Sequence, residues 1–196
     1  PGLLSAALVN SILQAVYVYA ASFHGKKLLA LGGNSGNPIF DWFIGRELNP
    51  RIGEFDIKTF NELRPGLILW ALLDISCVCH QYTKVGWVSD SIVLVTLFHI
   101  WYIVDSLINE STILTQMDIT TDGFGFMLSV GDLAWLPFTY CLQARFLAFH
   151  PIHLGWLGVL AILAVQFTGY YIFRVANLEK NEFRHGRNPK GTYTVR

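Results

Sequence analysis

An apolar run without a single charge, from Leu3 to Phe23, constrains this chain more than any other feature. A helix rises about 1.5 Å per residue and the hydrocarbon core of a bilayer is about 30 Å thick, so a run of this length crosses it. Four further segments meet the same criterion: Pro65 to Tyr82, Trp87 to Ile108, Phe124 to Phe149 and Ile152 to Ala176. The expected fold is an all-α, polytopic transmembrane helix bundle of about five spans. Composition points the same way. Charged residues make up 14% of the chain, against about 25% in soluble domains, and mean hydropathy is +0.41. Formal net charge is zero, so nothing in the total indicates a nucleic-acid partner.

Two polar regions interrupt the spans, His24 to Arg64 and Asn109 to Gly123. Their Gly, Asn, Asp and Pro content predicts turns and partly re-entrant backbone. The small polar run Gly32 to Asn37 is not a dinucleotide fingerprint, because it lacks the Gly-x-Gly-x-x-Gly spacing and no strand precedes it. Cytoplasmic loops are enriched in Lys and Arg. If the first span ends in the cytosol, twelve of the fourteen Lys and Arg fall on that side; only Lys84 and Arg145 fall toward the other. The acceptor sequence Asn109-Glu110-Ser111 then also faces the cytosol, where no glycan is expected. The start at Pro1 and the stop beyond a basic patch lead us to expect a piece of a longer protein.

Ionisable groups inside spans are costly and are functional candidates by default. His99, Tyr102 and Asp105 recur every third residue along one side of the third span. A phenol beside a carboxylate or an imidazole suits proton delivery, and a hydrogen-bonded seam between helices is served by the same spacing. Asp118 and Asp122 stand four apart before a Gly-aromatic run, with no His or Cys beside them. Helix capping and pairing with a loop cation such as Arg46 or Arg51 is favoured over a metal site. Asp132, Pro137 and Arg145 in the fourth span, and His80 in the second, are expected to face other helices. Cys77 and Cys79 lie about 200° apart on a helix, so they cannot converge on zinc with His80, and no metal is expected. Lys180 and Arg184 project from one face as the last span leaves the bilayer. That arrangement could grip a phosphate or serve as a positive-inside flank against lipid headgroups.

Several separate motifs recur in one order along the chain. They begin with Gly36-Asn37-Pro38-Ile39-Phe40-Asp41-Trp42-Phe43-Ile44-Gly45-Arg46-Glu47-Leu48-Asn49-Pro50-Arg51, followed by Glu62-Leu63-Arg64-Pro65-Gly66 and Tyr102 with Asp105. Met117-Asp118-Ile119, Asp122-Gly123-Phe124-Gly125-Phe126, Gly131-Asp132-Leu133, Gly169 to Arg174, and Lys180-Asn181 with Phe183-Arg184 complete the set. Together they resemble the membrane sterol reductase family, which includes delta-14 sterol reductase, 7-dehydrocholesterol reductase and the lamin B receptor. The Asp122 to Phe126 and Asn61 to Pro65 runs are most similar to the fungal delta-14 members. The resemblance implies a multi-pass protein of the endoplasmic reticulum membrane that reduces the sterol C14–C15 double bond with NADPH. Another reductase of the family, acting on 7-dehydrocholesterol or a C-24(28) bond, and a nuclear-membrane tether are the alternatives.

On this resemblance, Tyr102 and Asp105 are the catalytic residues, Lys180 and Arg184 contact the cofactor phosphates, and Asp118, Asp122 and Asp132 belong to the substrate pocket. Residues 1–178 form the bundle around part of the sterol pocket, and 179–196 a cytosolic basic segment that begins the cofactor region. The family continues into further helices, so this piece by itself is expected to be inactive.

Overall fold

The computed structural model describes residues 2–187. Helix α1 (Gly2–Ala21) buries Ser11, Ala15 and Val18, a stripe at steps of four and three that marks one face of a helix. Small residues there admit close approach of a neighbour, and the Ser129 hydroxyl donates to the Ser11 carbonyl at 2.9 Å and to Gln14 Oε1 at 3.0 Å.

The first polar region folds over one end of the bundle. Helix α2 (Pro38–Ile44) starts where Asn37 Oδ1 accepts from the amides of Ile39 and Phe40, and ends at Gly45, whose φ of 99° excludes most side chains. A two-stranded hairpin follows, β1 (Arg51–Ile52) against β2 (Phe55–Asp56). Asp56 then caps helix α3 (Ile57–Leu63) by accepting from the Thr59 amide at 3.0 Å. Helix α4 (Pro65–Val85) begins on Pro65, whose missing N–H is harmless in a first turn, and closes on left-handed Gly86. After α5 (Asp90–Ile108) come the short helices α6 (Glu110–Ile113) and α7 (Met117–Thr120) of the second polar region.

The segment expected to be one span from Phe124 to Phe149 is helical but broken. It comprises α8 (Phe126–Val130), a π turn (Gly131–Trp135), α9 (Leu136–Tyr140) and α10 (Leu142–Phe149). Pro137 supplies the reason: it has no N–H to donate, its ring clashes with the carbonyl four residues earlier, and the widened turn accommodates both. This broken helix packs on α1 at its start, on α4 in the middle, and on α4 and α5 at its end. Pro137, Cys141, Ala144 and Ala148 are buried on it, while Arg145 is exposed, contrary to expectation. Asp132 and α4 meet so closely that a Cβ on Gly66 would overlap the Asp132 carbonyl.

Helix α11 (Gly155–Arg184) continues past the apolar stretch that ends at Ala176, and Lys180 and Arg184 sit on it one turn apart, as their spacing predicts. Among the described residues four helices are long and apolar enough to cross a membrane: Gly2–Ala21, Ile57–Val85, Asp90–Ile108 and Gly155–Arg184. Large exposed apolar side chains run along all four, as a lipid-facing surface requires.

Both polar regions and the last turns of α11 meet, and four helices rather than the expected five are long and apolar enough to cross a membrane among the described residues. The Phe124 amide donates to the Glu47 carbonyl at 3.0 Å. Arg64 grips Glu110 through two hydrogen bonds of 3.0 and 2.7 Å, and Arg184 donates to the Thr115 carbonyl. Lys58, fully buried, donates to the carbonyls of Leu48 (3.3 Å), Ile119 (3.2 Å) and Asp122 (2.5 Å), bolting the two regions together.

Candidate functional site

A cavity of about 300 Å³ opens beneath the joined polar regions. Helices α3 and α4 contribute Glu62 and Leu67, α5 contributes Tyr102 and Asp105, the broken helix contributes Asp132, and α11 contributes Phe173, Arg174 and Asn177. Three of the residues picked from sequence, Tyr102, Asp105 and Asp132, therefore meet in one place. Tyr102 lies 5.9 Å from Trp70 and 6.4 Å from Phe173 between ring centroids, and its hydroxyl makes no hydrogen bond among the described residues.

The expected seam of His99, Tyr102 and Asp105 does not form, for a geometric reason. Each three-residue step on a 3.6-residue helix falls about 60° short of a full turn, so the three side chains fan out over about 120°. His99 turns to Asp74 on α4, with Nδ1 and Oδ2 at 2.6 Å. Asp105 turns to α11, where Oδ1 accepts from the Tyr170 hydroxyl at 2.9 Å and Oδ2 forms an ion pair with Arg174. Asn109 adds a third donor to Asp105 at 3.2 Å. The Asp105 carboxylate is thus taken up by α11 and Asn109 and makes no bond to Tyr102. It also borders a second, apolar groove of about 520 Å³ between α5 and α11.

The other expectations fare unevenly. Asp118 is exposed on α7 and Asp122 half-buried ahead of α8, and neither lines the cavity. Nor do they pair with the expected loop cations. Arg46 donates to the Ser22 carbonyl at 2.7 Å and stacks over Phe23, while Arg51 pairs with Asp56 at 3.1 Å. It is Lys58 that reaches this segment, through backbone carbonyls. His80 does face a neighbour, its ring tilted by 51° to that of Phe149 at 5.0 Å between centroids. Cys77 is half-buried and Cys79 exposed, as opposite faces of a helix require.

Lys180 and Arg184 border a small polar cleft with Thr115 and Asn181, and this cleft shares Thr112, Gln116 and Asn177 with the cavity. Lys180 makes no ion pair among the described residues. A free ammonium beside a guanidinium one turn away is a donor set that fits a phosphate. Lys190 and Arg196, also counted on this side, lie outside the described residues.

Two cavity residues were missed in the sequence. Glu62 stands in the Glu62 to Gly66 motif but, just ahead of Arg64 and Pro65, looks like a solvated flank rather than a cavity wall. Arg174 did carry one: a cation inside the last apolar span, one turn after Tyr170, is the kind of group that needs a partner in lipid.

The molecule is, by its fold, a polytopic all-α membrane protein with a polar cavity set among its helices. A sequence model of the Ergosterol biosynthesis ERG4/ERG24 family matches residues 2–195, and the chain belongs to that family. It is 63% identical over 187 residues to the Delta(14)-sterol reductase erg24 of Schizosaccharomyces pombe, covering 95% of this chain and 44% of that protein. The Saccharomyces cerevisiae Delta(14)-sterol reductase ERG24 is 54% identical over 202 residues, covering 96% of this chain and 46% of that protein. The Candida albicans Delta(14)-sterol reductase ERG24 is 52% identical over 191 residues, covering 91% and 43%. The chain thus spans less than half the length of these curated relatives.

Proposed function

We propose that this chain is the cavity-bearing part of an NADPH-dependent delta-14 sterol reductase of the endoplasmic reticulum membrane. One observation carries the reading: the unbonded phenol of Tyr102 shares a cavity with Asp132, and that cavity adjoins the cations Lys180 and Arg184. The names of the relatives, at 52 to 63% identity, supply the substrate class.

Reducing a carbon–carbon double bond takes a proton at one carbon and a hydride at the other. Tyr102 donates the proton to carbon 15 of the sterol, leaving cationic character at carbon 14. Asp132, which lines the same cavity, is placed to answer that charge as it develops, because electrostatic interactions in a water-poor cavity are stronger than in bulk solvent. Lys180 and Arg184 hold the cofactor phosphates; the dinucleotide, when bound, supplies hydride. The fused sterol and the surrounding lipid are the partners this implies.

Expressing the full-length protein in cells lacking delta-14 reductase, and identifying the sterols by mass spectrometry, tests the reading. Loss of the Δ14-unsaturated pool supports it. Persistence of that pool while 7-unsaturated or 24(28)-unsaturated sterols fall assigns another reduction, and an unchanged sterol profile overturns it. Tyr102→Phe should lower kcat by about 10² to 10³, the usual scale of a lost general acid. Near-normal turnover would remove Tyr102 from this role.

A further inference from the structure

His99 and Asp74 form an ionisable pair at the middle of two adjacent helices. His99 is the tenth residue of the 19-residue α5, and Asp74 the tenth of the 21-residue α4. Asp74 is 0% exposed, and its Oδ2 accepts from His99 Nδ1–H at 2.6 Å. Its other oxygen, Oδ1, is buried without a partner among the described residues; so are Trp70 Nε1, one turn before it on α4, and Thr96 Oγ1, one turn before His99 on α5. At mid-bilayer depth a pair of this kind costs several kcal/mol of desolvation and persists where it serves a function. A packing seam would leave fewer buried polar atoms unsatisfied.

The position of the pair indicates the function. Trp70 contacts both His99, at 4.6 Å between centroids, and Tyr102, at 5.9 Å. Residues three apart on a helix have Cβ atoms about 5 to 6 Å apart, so the imidazole and the phenol are neighbours on α5, both set against Trp70. Commitment of Nδ1–H to Asp74 fixes the ring and leaves Nε2, which has no partner among the described residues, as the atom that exchanges protons. Asp105 is engaged by three donors already.

We propose that the His99–Asp74 pair returns a proton to Tyr102 after each turnover, with His99 as a positioning residue that acts through the phenol. This rests on the reductase reading above. When Tyr102 protonates the sterol, its O–H bond breaks and a C–H bond forms, leaving a phenolate. In its protonated form, with Nδ1–H on Asp74, His99 gives up its Nε2 proton, the phenol O–H re-forms, and the neutral imidazole remains bonded to Asp74. Water then reprotonates Nε2 before the next cycle.

The full-length protein carrying His99→Gln, with NADPH and a Δ14-unsaturated sterol, tests this by comparing the first turnover with later ones. Tyr102 starts protonated, so the first turnover should stay within about twofold of wild type while later ones slow about tenfold or more, giving a burst of one product per site. Asp74→Asn should show the same burst with a smaller slowing. Equal slowing of first and later turnovers, no slowing at all, or failure of both variants to accumulate as folded protein marks the pair as structural and overturns the relay. A burst that instead accompanies Glu62→Gln or Asp132→Asn assigns the task to the cavity carboxyls and also overturns it. A wild-type protein that reduces no sterol defeats the reductase reading itself, an outcome distinct from all of these.

Discussion

Helices α4 and α11 are both long and apolar enough to cross a membrane, yet they are held in place by opposite means. Helix α4 buries Gly66, Leu67, Trp70, Asp74 and Gln81 and packs against α3, α5 and the broken helix. Helix α11 buries no residue at all. Its placement comes from polar anchors spread along its length: the amides of Leu154 and Gly155 donate to Asp90 at 3.0 and 3.1 Å, Tyr170 and Arg174 engage Asp105, and Arg184 engages Thr115. In lipid, apolar burial gives no hydrophobic drive between helices, so steric fit locates the one and hydrogen bonds the other. A helix located by hydrogen bonds can shift as these exchange, and α11 carries Phe173, Arg174 and Asn177 into the cavity.

The sharpest attack on this contrast is Gly66→Leu. The new side chain would collide with the Asp132 backbone, and overpacking of this kind should cost more than about 3 kcal/mol, since neither helix can retreat. Loss of the monodisperse species in detergent is the expected readout; a well-folded variant would show that α4 is not positioned by close fit. Lys58→Met should come next, because three carbonyls lose their donor, with a cost of about 2 to 3 kcal/mol and a lowered Tm.

Tyr170→Phe should cost about 1.5 kcal/mol, the scale of one hydrogen bond to a charged group. Its effect should appear as faster amide exchange along α11 with α4 unchanged. Equal acceleration in both helices would dissolve the distinction drawn here. Smallest of all is Asp41→Asn. The Ser35 hydroxyl and amide hold the Asp41 carboxyl below the usual carboxylate range. Its stabilisation of the loop is therefore fully present above about pH 4, the ordinary carboxylate value, and is lost as pH falls through the lower folded value. Exchange at the Ser35 amide should accelerate in that acid window in the wild type and be indifferent to pH there, beyond the intrinsic trend, in the variant.

Legibility in the sequence divides along the same line. The spans of α1, α4 and α5 were legible because hydropathy and the stops at Pro65 and Gly86 act locally. The break in the fourth segment was not, although Pro137 stood in view, because hydropathy counts side chains and ignores the backbone hydrogen bond that proline removes. The four-residue spacing of Lys180 and Arg184 made the continuation of α11 beyond its apolar stretch legible as well. Tyr102 and Asp132 stand out in the sequence as polar groups inside apolar segments, and they share the cavity. The partners of Asp105 and Lys58 were hidden, because contacts across 61 to 69 residues leave no periodic trace. The spacing of Asp118 and Asp122 points to capping and pairing, while the docking of their segment on Lys58 through backbone carbonyls has no signature in side-chain spacing.

The π turn ahead of Pro137 has a consequence for how chain length can vary in this family. A widened turn takes up one residue more than an α-helix needs within a single turn, so the helices on either side keep their phase. Deleting one residue between Gly131 and Trp135 would leave the Pro137, Cys141 and Ala144 stripe facing α4, but would return the proline ring to a regular turn, where it meets the carbonyl four residues earlier. Insertions and deletions are usually tolerated in surface connections; here a residue that looks superfluous gives a membrane helix room for its proline.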